Sequence, residues 1–590
     1  MLHKHTQEKS NSPIAYYNHH HRPIPLDNKL LSQDLQQLAL SDGHSKIDKG
    51  QVDVQEPHHP QTNKYTIPLK GLPSELTYSL IHNELTLDGN PHLNLASFVN
   101  TFTTAEAKRL VTENLNKNLA DNDEYPQLIE ITQRCVSMLA QLWRCSEDKT
   151  PLGCATTGSS EAIMLGGLAM KRQWERKMRS KGKSTSKPNI IMSSAAQVAL
   201  EKFARYFDVE CRLVPVSHGS CHRLDPKSLW DYVDENTIGC FVILGTTYTG
   251  HLENVEQVGE VLDEIEKENP EWSNGPIPIH VDGASGGFIV PFAFEKSQLK
   301  NFGLPRWGFD HPRVVSINTS GHKFGLTTPG LGWVLWSDDE YLLPELRFKL
   351  KYLGGVEETF NLNFSRPGFQ VIHQYFNFLS LGKAGYKELF QRSLFVARYF
   401  SHRLLTHPEL GEYFEIVSCL HERIDGKEEL PSNANDFWDN PQDYKPGVPL
   451  VAFRLNKKFY EKFPEIPQAL ISTLLRAKGW IIPNYPLPAS FDGSDEWEVL
   501  RIVFRAEMRM DLAQLLIKDL EVAMRKLLRS YEHISKGVID EKIPESGKRD
   551  TIYQMLLTLA ASGDEIEENK NTEDSGKETE EHKKNYRGTC

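Results

Sequence analysis

Short strand-like runs alternate with helical stretches through the middle of the chain, and that alternation limits the fold more than any other feature. Asn189-Ile190-Ile191-Met192, Cys240-Phe241-Val242-Ile243-Leu244, Ile277 to Asp282, Val314 to Ile317 and Gly332 to Trp336 have the length and the β-branched or aromatic content of buried strands. Val198 to Phe207 and Val255 to Glu268 read as helices between some of them. Glu161 to Lys181 carries apolar residues at Ile163, Leu165, Leu168 and Trp174 and gathers its basic residues late, as the negative end of a helix dipole favours. Strands that alternate with helices pack as a mostly parallel sheet with helices on both faces, and ligands of such sheets lie at the carboxyl ends of the strands. Near Gly447 the pattern changes. Pro449 to Phe453 and Val499 to Phe504 read as strands around a helix near Ile466 to Lys478, which predicts a smaller α+β domain. No internal repeat is evident at a period of about 20 to 50 residues.

Charge and length then exclude whole classes of partner. The chain has 590 residues, 39% of them hydrophobic, enough for a large buried core. Its 79 acidic residues outnumber the 67 basic ones, for a formal net charge of −12, so no cationic excess exists to neutralise phosphates and nucleic acid is not expected as a partner. No apolar run approaches the roughly 18 residues of a membrane helix, and the opening MLHKHTQEKS lacks the apolar core of a secretory signal. Eight scattered cysteines without a CxxC pair fit reduced thiols, so the expected compartment is the cytoplasm. Residues 1–63, rich in His, Gln, Asn and Pro, read as a disordered polar segment. Eight of the 22 histidines fall in the first 60 residues at no spacing that closes a metal site, and no metal is expected. Residues 564–590 carry nine acidic and five basic residues and read as a disordered acidic tail, with a short helix before it near Ile552 to Leu559.

Three motifs lie where loops should leave the sheet. Ser320-Gly321-His322-Lys323-Phe324-Gly325 follows a strand and is rich in small residues. Its lysine is either a solvated loop residue or, where its surroundings lower its pKa, a Schiff-base amine. His280-Val281-Asp282-Gly283-Ala284-Ser285-Gly286-Gly287 ends a strand on an aspartate. That aspartate either caps the turn that follows or faces a cofactor ring nitrogen, as the electron sink of pyridoxal phosphate chemistry requires. The same stretch matches G-x-S-x-G, the nucleophile elbow of α/β-hydrolases, which needs a helix directly after the serine; Phe288-Ile289-Val290-Pro291-Phe292 reads instead as strand-like and broken by proline. Thr156-Thr157-Gly158-Ser159-Ser160-Glu161 opens the long helix, where free N–H groups and the positive dipole end accept an anion, or where a serine simply caps the helix. No dinucleotide or Walker pattern competes for a phosphate. The order of the three is phosphate-binding helix start, ring-nitrogen aspartate, Schiff-base lysine.

LTLDGNPHLNLASF, DEYPQ, TTGSSEAIMLGGLAMK, EKFARYFDVE, ENTIGC, TTYTG, HVDGASGGF, SGHKFGL and NFSRPGFQ occur in this order between about Leu85 and Lys526. Through them the chain resembles the pyridoxal-phosphate-dependent glutamate decarboxylases of the group II family, in the branch shared by bacteria, plants and fungi. The ending NYRGTC looks most like fungal members. The resemblance implies a fold-type I enzyme: a mainly parallel seven-stranded sheet flanked by helices, with a smaller C-terminal α+β domain. It implies decarboxylation of L-glutamate to 4-aminobutyrate through a Schiff base on Lys323 and a quinonoid intermediate. Asp282 would pair with the ring nitrogen, and Ser159, Ser160 and His322 would hold the phosphate. Gln197 and Ala284 would sandwich the ring, with Thr247 nearby. Ser365 would reach the phosphate of a partner subunit. Ser97, Phe98, Asn118 and Asp121 would sit near the distal carboxylate of the substrate, and Arg501 near its α-carboxylate; a structural ion pair is the alternative for Arg501.

The implied organisation is a segment over residues 64–125 that contributes to a homodimer and to the substrate site, a cofactor domain over 126–385, a small domain over 386–545 and a terminal region over 546–590. Gln197 stands where many related decarboxylases place a histidine on the ring, which sets the chain apart from the aromatic amino acid enzymes. Position 97 is Ser where bacterial members carry Thr. Plant members end in a basic, Trp-containing calmodulin-binding segment; here the tail is acidic and no tryptophan follows Trp497, so calmodulin is not expected as a partner. The alternatives are a related enzyme acting on another acidic amino acid and a cofactor-binding scaffold without catalysis. Intact Lys323, Asp282 and Ser160 argue against the scaffold.

Overall fold

A computed structural model describes residues 65–121, 123–272, 275–350, 357–488, 497–537, 553–556 and 558. The polar segment expected over residues 1–63 and the acidic tail lie outside these residues. The terminal helix expected near Ile552 is helical at 553–556 and at 558. The chain divides into two compact units, Met1–Leu85 and Thr86–Cys590. The described part of the first holds the helix Ser74–Leu85, none of whose residues is buried within it.

The second unit is built on a seven-stranded sheet in the order β1-β7-β6-β5-β4-β2-β3. Its strands are β1 (Leu152–Thr156), β2 (Asn189–Ser193), β3 (Glu210–Val214), β4 (Thr237–Ile243), β5 (Ile279–Asp282), β6 (Val314–Ser320) and β7 (Gly332–Trp336). Only β7 runs against its neighbours, β1 and β6; the other pairings are parallel. Every residue of β2, β4, β5, β6 and β7 is buried, as parallel sheets covered on both faces require. These five are the runs legible in the sequence. The two edge strands are not: β1 (LGCAT) is made largely of small residues, and β3 (ECRLV) exposes its outer positions. The helices Ser159–Ser180, Val198–Tyr206 and Val255–Glu268 fall where periodicity places them.

A second sheet, all antiparallel, has the order β10-β11-β13-β12, with β10 (Phe414–Ile416), β11 (Leu450–Leu455), β12 (Asn484–Pro486) and β13 (Glu498–Val503); β8 (Phe348–Leu350) and β9 (Glu357–Thr359) form a separate hairpin. The long helix Phe369–Leu405 packs against β10 and β11 and against the helix that begins at Met510. It breaks once, at Gly382, where φ is 59° and ψ −173°, a region essentially restricted to glycine. The boundary expected at 385/386 falls three residues beyond this break. Space around Gly382 is open, so a methyl group meets nothing within 4 Å. Gly382→Ala is therefore expected to lower stability by about 1–3 kcal/mol through backbone strain alone. An unchanged midpoint of thermal unfolding would show that the bend relaxes without cost.

One expectation is corrected. Phe288 to Phe292, read as strand-like, lies in the helix Gly286–Ala293 with Pro291 inside it. A short, wholly apolar run does not distinguish strand from helix by periodicity. The proline lacks the N–H that would bond to the Gly287 carbonyl one turn back. Trp143 fills the gap, its Nε1 donating to that carbonyl at 2.8 Å. The helix that a nucleophile elbow needs after Ser285 is thus present, and the sequence ground against that reading falls. Among the described residues, however, the Ser285 hydroxyl meets the amine of Lys323 rather than an imidazole.

Candidate active site

The carboxyl ends of β5 and β6 and the start of the Ser159–Ser180 helix converge. Gly158 is the N-cap and offers no side chain to the first turn, so the N–H groups there are open to an anion. Ser159 Oγ shares a 2.7 Å hydrogen bond with Ser320 Oγ at the end of β6, and Ser160 beside it is exposed. The His322 ring lies against Gly158, where an added Cβ would come within 3.4 Å of its Cε1. His322 Nδ1 is buried with no hydrogen-bond partner. Burial, then the neighbouring Lys323 charge, lowers the His322 pKa. A buried ring nitrogen without a partner, beside an open helix N-terminus, fits a phosphate group.

Lys323 leaves the end of β6. Its Nζ is 3.4 Å from Ser285 Oγ and 5.0 Å from the Phe98 ring centroid. Burial pulls its amine below the usual lysine range; the Asp282 charge opposes this and the Arg501 charge adds to it. Three residues on, Leu326 adopts a left-handed backbone (φ 65°). Its carbonyl accepts from Asn100 Nδ2 at 3.0 Å and Asn377 Nδ2 at 2.9 Å, which pin the strained turn behind the lysine. Asp282 ends β5 and is 4% exposed. Its Oδ1 accepts from the Ala284 N–H at 3.0 Å and from Asn318 Nδ2 at 2.9 Å. The aspartate thus caps its own turn, and its charge also acts on Lys323.

Arg501 comes from β13 of the second sheet. Its Nη1 donates to the Thr247 carbonyl at 2.9 Å and its Nη2 to the Ala96 carbonyl. Its guanidinium lies 5.0 Å from the Phe98 ring centroid, so this ring carries Lys323 and Arg501 alike. Among the described residues Arg501 Nε is buried without a partner, and the guanidinium meets backbone carbonyls and rings and no carboxylate, which leaves charge for an acidic ligand. Arg505 ties down the segment that bears Ser97 and Phe98, donating to the carbonyls of Pro91 (2.7 Å), Ser97 (3.3 Å) and Val99 (3.1 Å), and pairs with Glu507 at 2.7 Å.

Gln197 caps the Val198–Tyr206 helix, its Oε1 accepting from the Ala199 N–H at 2.7 Å. Asn118 and Ser365 gather elsewhere: Asn118 Nδ2 donates to Ser365 Oγ at 3.3 Å, and its Oδ1 accepts from the Arg366 N–H at 3.0 Å. Asp121 lies three residues on, its N–H bonded to the Asn118 carbonyl at 3.2 Å. Among the described residues no hydrogen bond joins this group to Lys323 or Asp282. Glu161 tethers it to the helix start, accepting from the N–H of Thr157 at 2.8 Å and from those of Leu362 and Asn363 at 3.1 and 3.2 Å.

Residues 74–424 match the model of the pyridoxal-dependent decarboxylase conserved domain. The chain is 64% identical over 593 aligned positions to a glutamate decarboxylase of Saccharomyces cerevisiae, with 100% of each covered. It is 41% identical over 467 positions to glutamate decarboxylase 1 of Arabidopsis thaliana, covering 79% of this chain and 83% of that one. A solved structure of Lactobacillus brevis glutamate decarboxylase aligns with a TM-score of 0.68 at 36% identity, covering 78% of this chain and 95% of that chain. With a family model spanning more than half its length and a relative 64% identical over the whole of it, the chain belongs to the pyridoxal-dependent decarboxylase family.

Proposed function

We propose that the protein removes the α-carboxylate of L-glutamate as CO2 and releases 4-aminobutyrate, using pyridoxal 5'-phosphate. The reaction class is carried by one observation: a desolvated amine, Lys323, beside a buried carboxylate, Asp282, with the Arg501 guanidinium sharing the Phe98 ring. The names of the relatives support glutamate as the substrate. The residues present fit the cofactor: an open helix start and the orphan Nδ1 of His322 for its phosphate, and a carboxylate for its ring nitrogen.

When bound, pyridoxal phosphate supplies a protonated ring that takes up the electron pair left at Cα as CO2 departs. Asp282 would hold the proton on the ring nitrogen through charge and a hydrogen bond. Burial lowers the Lys323 pKa, so its Nζ would accept the proton given up by the substrate's ammonium group and readily pass it to Cα once the carboxylate has gone. Ser159, Ser160 and His322 hold the phosphate, Gln197 and Ala284 flank the ring, and Thr247 lies beside it while orienting Arg501. Arg501 would fix the α-carboxylate and so decide which bond to Cα breaks, while Ser97 and Phe98 line the distal side. Asn118, Asp121 and Ser365, drawn together by hydrogen bonds, serve the site of a second copy in a homodimer. The setting is cytoplasmic.

Labelled CO2 from carboxyl-labelled glutamate, with 4-aminobutyrate in equal amount, is the expected result. Aspartate and cysteine sulfinate should react at least about tenfold more slowly, because a distal acid group placed one atom short leaves its polar partners unpaired. Preference for either over glutamate would replace the substrate while leaving the reaction class intact.

A further inference from the structure

β5 and β6 break the rule that central strands of a parallel sheet are apolar on both faces. His280 and Asp282 alternate along β5, and Ser316, Asn318 and Ser320 along β6, so that their side chains share one face. His280, Ser316 and Asn318 have no solvent exposure. Buried polar groups in such a place persist only when fully paired, and these are. His280 Nδ1 is 2.7 Å from Ser316 Oγ, and its Nε2 is 2.8 Å from Asn318 Oδ1. Asn318 Nδ2 donates to Asp282 Oδ1 at 2.9 Å.

The chain of bonds has a direction. An ionised carboxylate only accepts, so Asn318 turns its NH2 to Asp282 and leaves its oxygen to His280. His280 Nε2 must then carry a proton. Burial pushes the imidazole pKa down to about 4, against the pull of Asn318 and Asp282, so the ring is neutral and its Nδ1 accepts from Ser316. Every proton points toward Asp282. Packing locks the arrangement: the ring meets Phe241 edge to face at 5.2 Å, and an added Cβ on Gly166 of the Ser159–Ser180 helix would fall 2.5 Å from His280 Nδ1. Only glycine leaves room for the imidazole there.

We infer that His280, acting through Asn318, is a positioning residue that holds the Asp282 carboxylate aimed at the cofactor's ring nitrogen. The inference rests on the role given to Asp282 above. Two of the donors on Asp282 Oδ1 come from its surroundings, the Ala284 N–H and Asn318, and only the second is adjustable. The other oxygen is left to the cofactor. Without the relay the carboxylate is freer to turn, so it holds the ring proton less firmly.

The test uses holoenzyme carrying pyridoxal phosphate labelled with 15N in the ring, with Asn318→Leu, His280→Leu and His280→Gln beside the wild type. In the two leucine variants the ring 15N shift should move toward the unprotonated value and the cofactor dissociation constant should rise about tenfold, as expected for losing a hydrogen bond to a charged group. kcat should fall with KM for glutamate unchanged. Gln at 280 keeps an N–H donor toward Asn318 and should recover most of each effect. Folded leucine variants with wild-type 15N shift and cofactor affinity would overturn the inference, as would loss of thermal stability alone. If Asn318→Leu does not fold, the His280→Leu and His280→Gln pair decides by the same readouts. Asp282→Asn is the reference. A moved shift there with none in the relay variants sinks the relay only; no shift in Asp282→Asn itself sinks the reading of Asp282 beneath it.

Discussion

Lys323→Ala is expected to lower kcat/KM by at least about 1000-fold and to leave the protein folded. No other amine among the described residues is placed to substitute: the neighbouring cation, Arg501, is a guanidinium, not an amine, and is anchored by the Thr247 and Ala96 carbonyls. Borohydride reduction followed by peptide mapping should attach the cofactor at position 323 in the wild type and nowhere in the variant. A cofactor-bearing peptide from any other position would remove the assignment. Stability should move the opposite way. Burial lowers the Lys323 pKa in the folded chain, whereas the unfolded lysine titrates near about 10.4. The unfolded state therefore takes up a proton first as pH falls below that value, and folding loses stability down to the folded pKa. At neutral pH the wild type bears this penalty and Lys323→Ala does not. The variant should melt at an equal or higher temperature, and its advantage should vanish above about pH 11, where both states of the lysine are neutral. A lower melting point at neutral pH would mean that the amine's contacts with Ser285 and Phe98 outweigh its desolvation.

Much of this site is legible in the sequence, because its residues sit where the chain changes period. Asp282 and Lys323 follow short runs rich in β-branched residues that read as strands, and Ser159 and Ser160 open a helix whose periodicity is plain. The unreadable parts share a physical cause: they depend on contacts distant in sequence. Arg505 looks like any surface arginine until Pro91, Ser97 and Val99 are seen to turn their carbonyls toward it. Glu161 reads as a first-turn acid favoured by the helix dipole, while its larger task is to hold Leu362 and Asn363. The Phe288 run becomes a helix because Trp143, far upstream, satisfies the carbonyl that Pro291 leaves open. His280, Ser316 and Asn318 do leave a trace. Polar residues at alternate positions of two strands otherwise fit to be buried on both faces are a local conflict of the sort that marks functional sites. That conflict is visible in HVD and SINTS, but its meaning needs β5 and β6 to be neighbours.

Asp282→Asn should reduce kcat by about 100- to 1000-fold while KM for glutamate changes little, the scale of losing one preorganised electrostatic partner. The substitution separates shape from charge. Asn at this position keeps an oxygen that accepts from the Ala284 N–H and from Asn318, so the turn after β5 and the seat of Ser285 need not move. What changes is the second atom, which becomes an NH2 donor. A donor facing the ring nitrogen pairs only with an unprotonated ring, and an unprotonated ring is a poor sink for the electron pair left at Cα. The thermal midpoint should stay near that of the wild type or rise slightly, since a buried charge has been removed without leaving a donor unpaired. Steady-state kinetics with calorimetry on the same preparations decide the matter. Retention of kcat within a few-fold would show that the carboxylate acts only as the cap of its turn, and a collapse in stability with the lost activity would show that its charge is needed for folding.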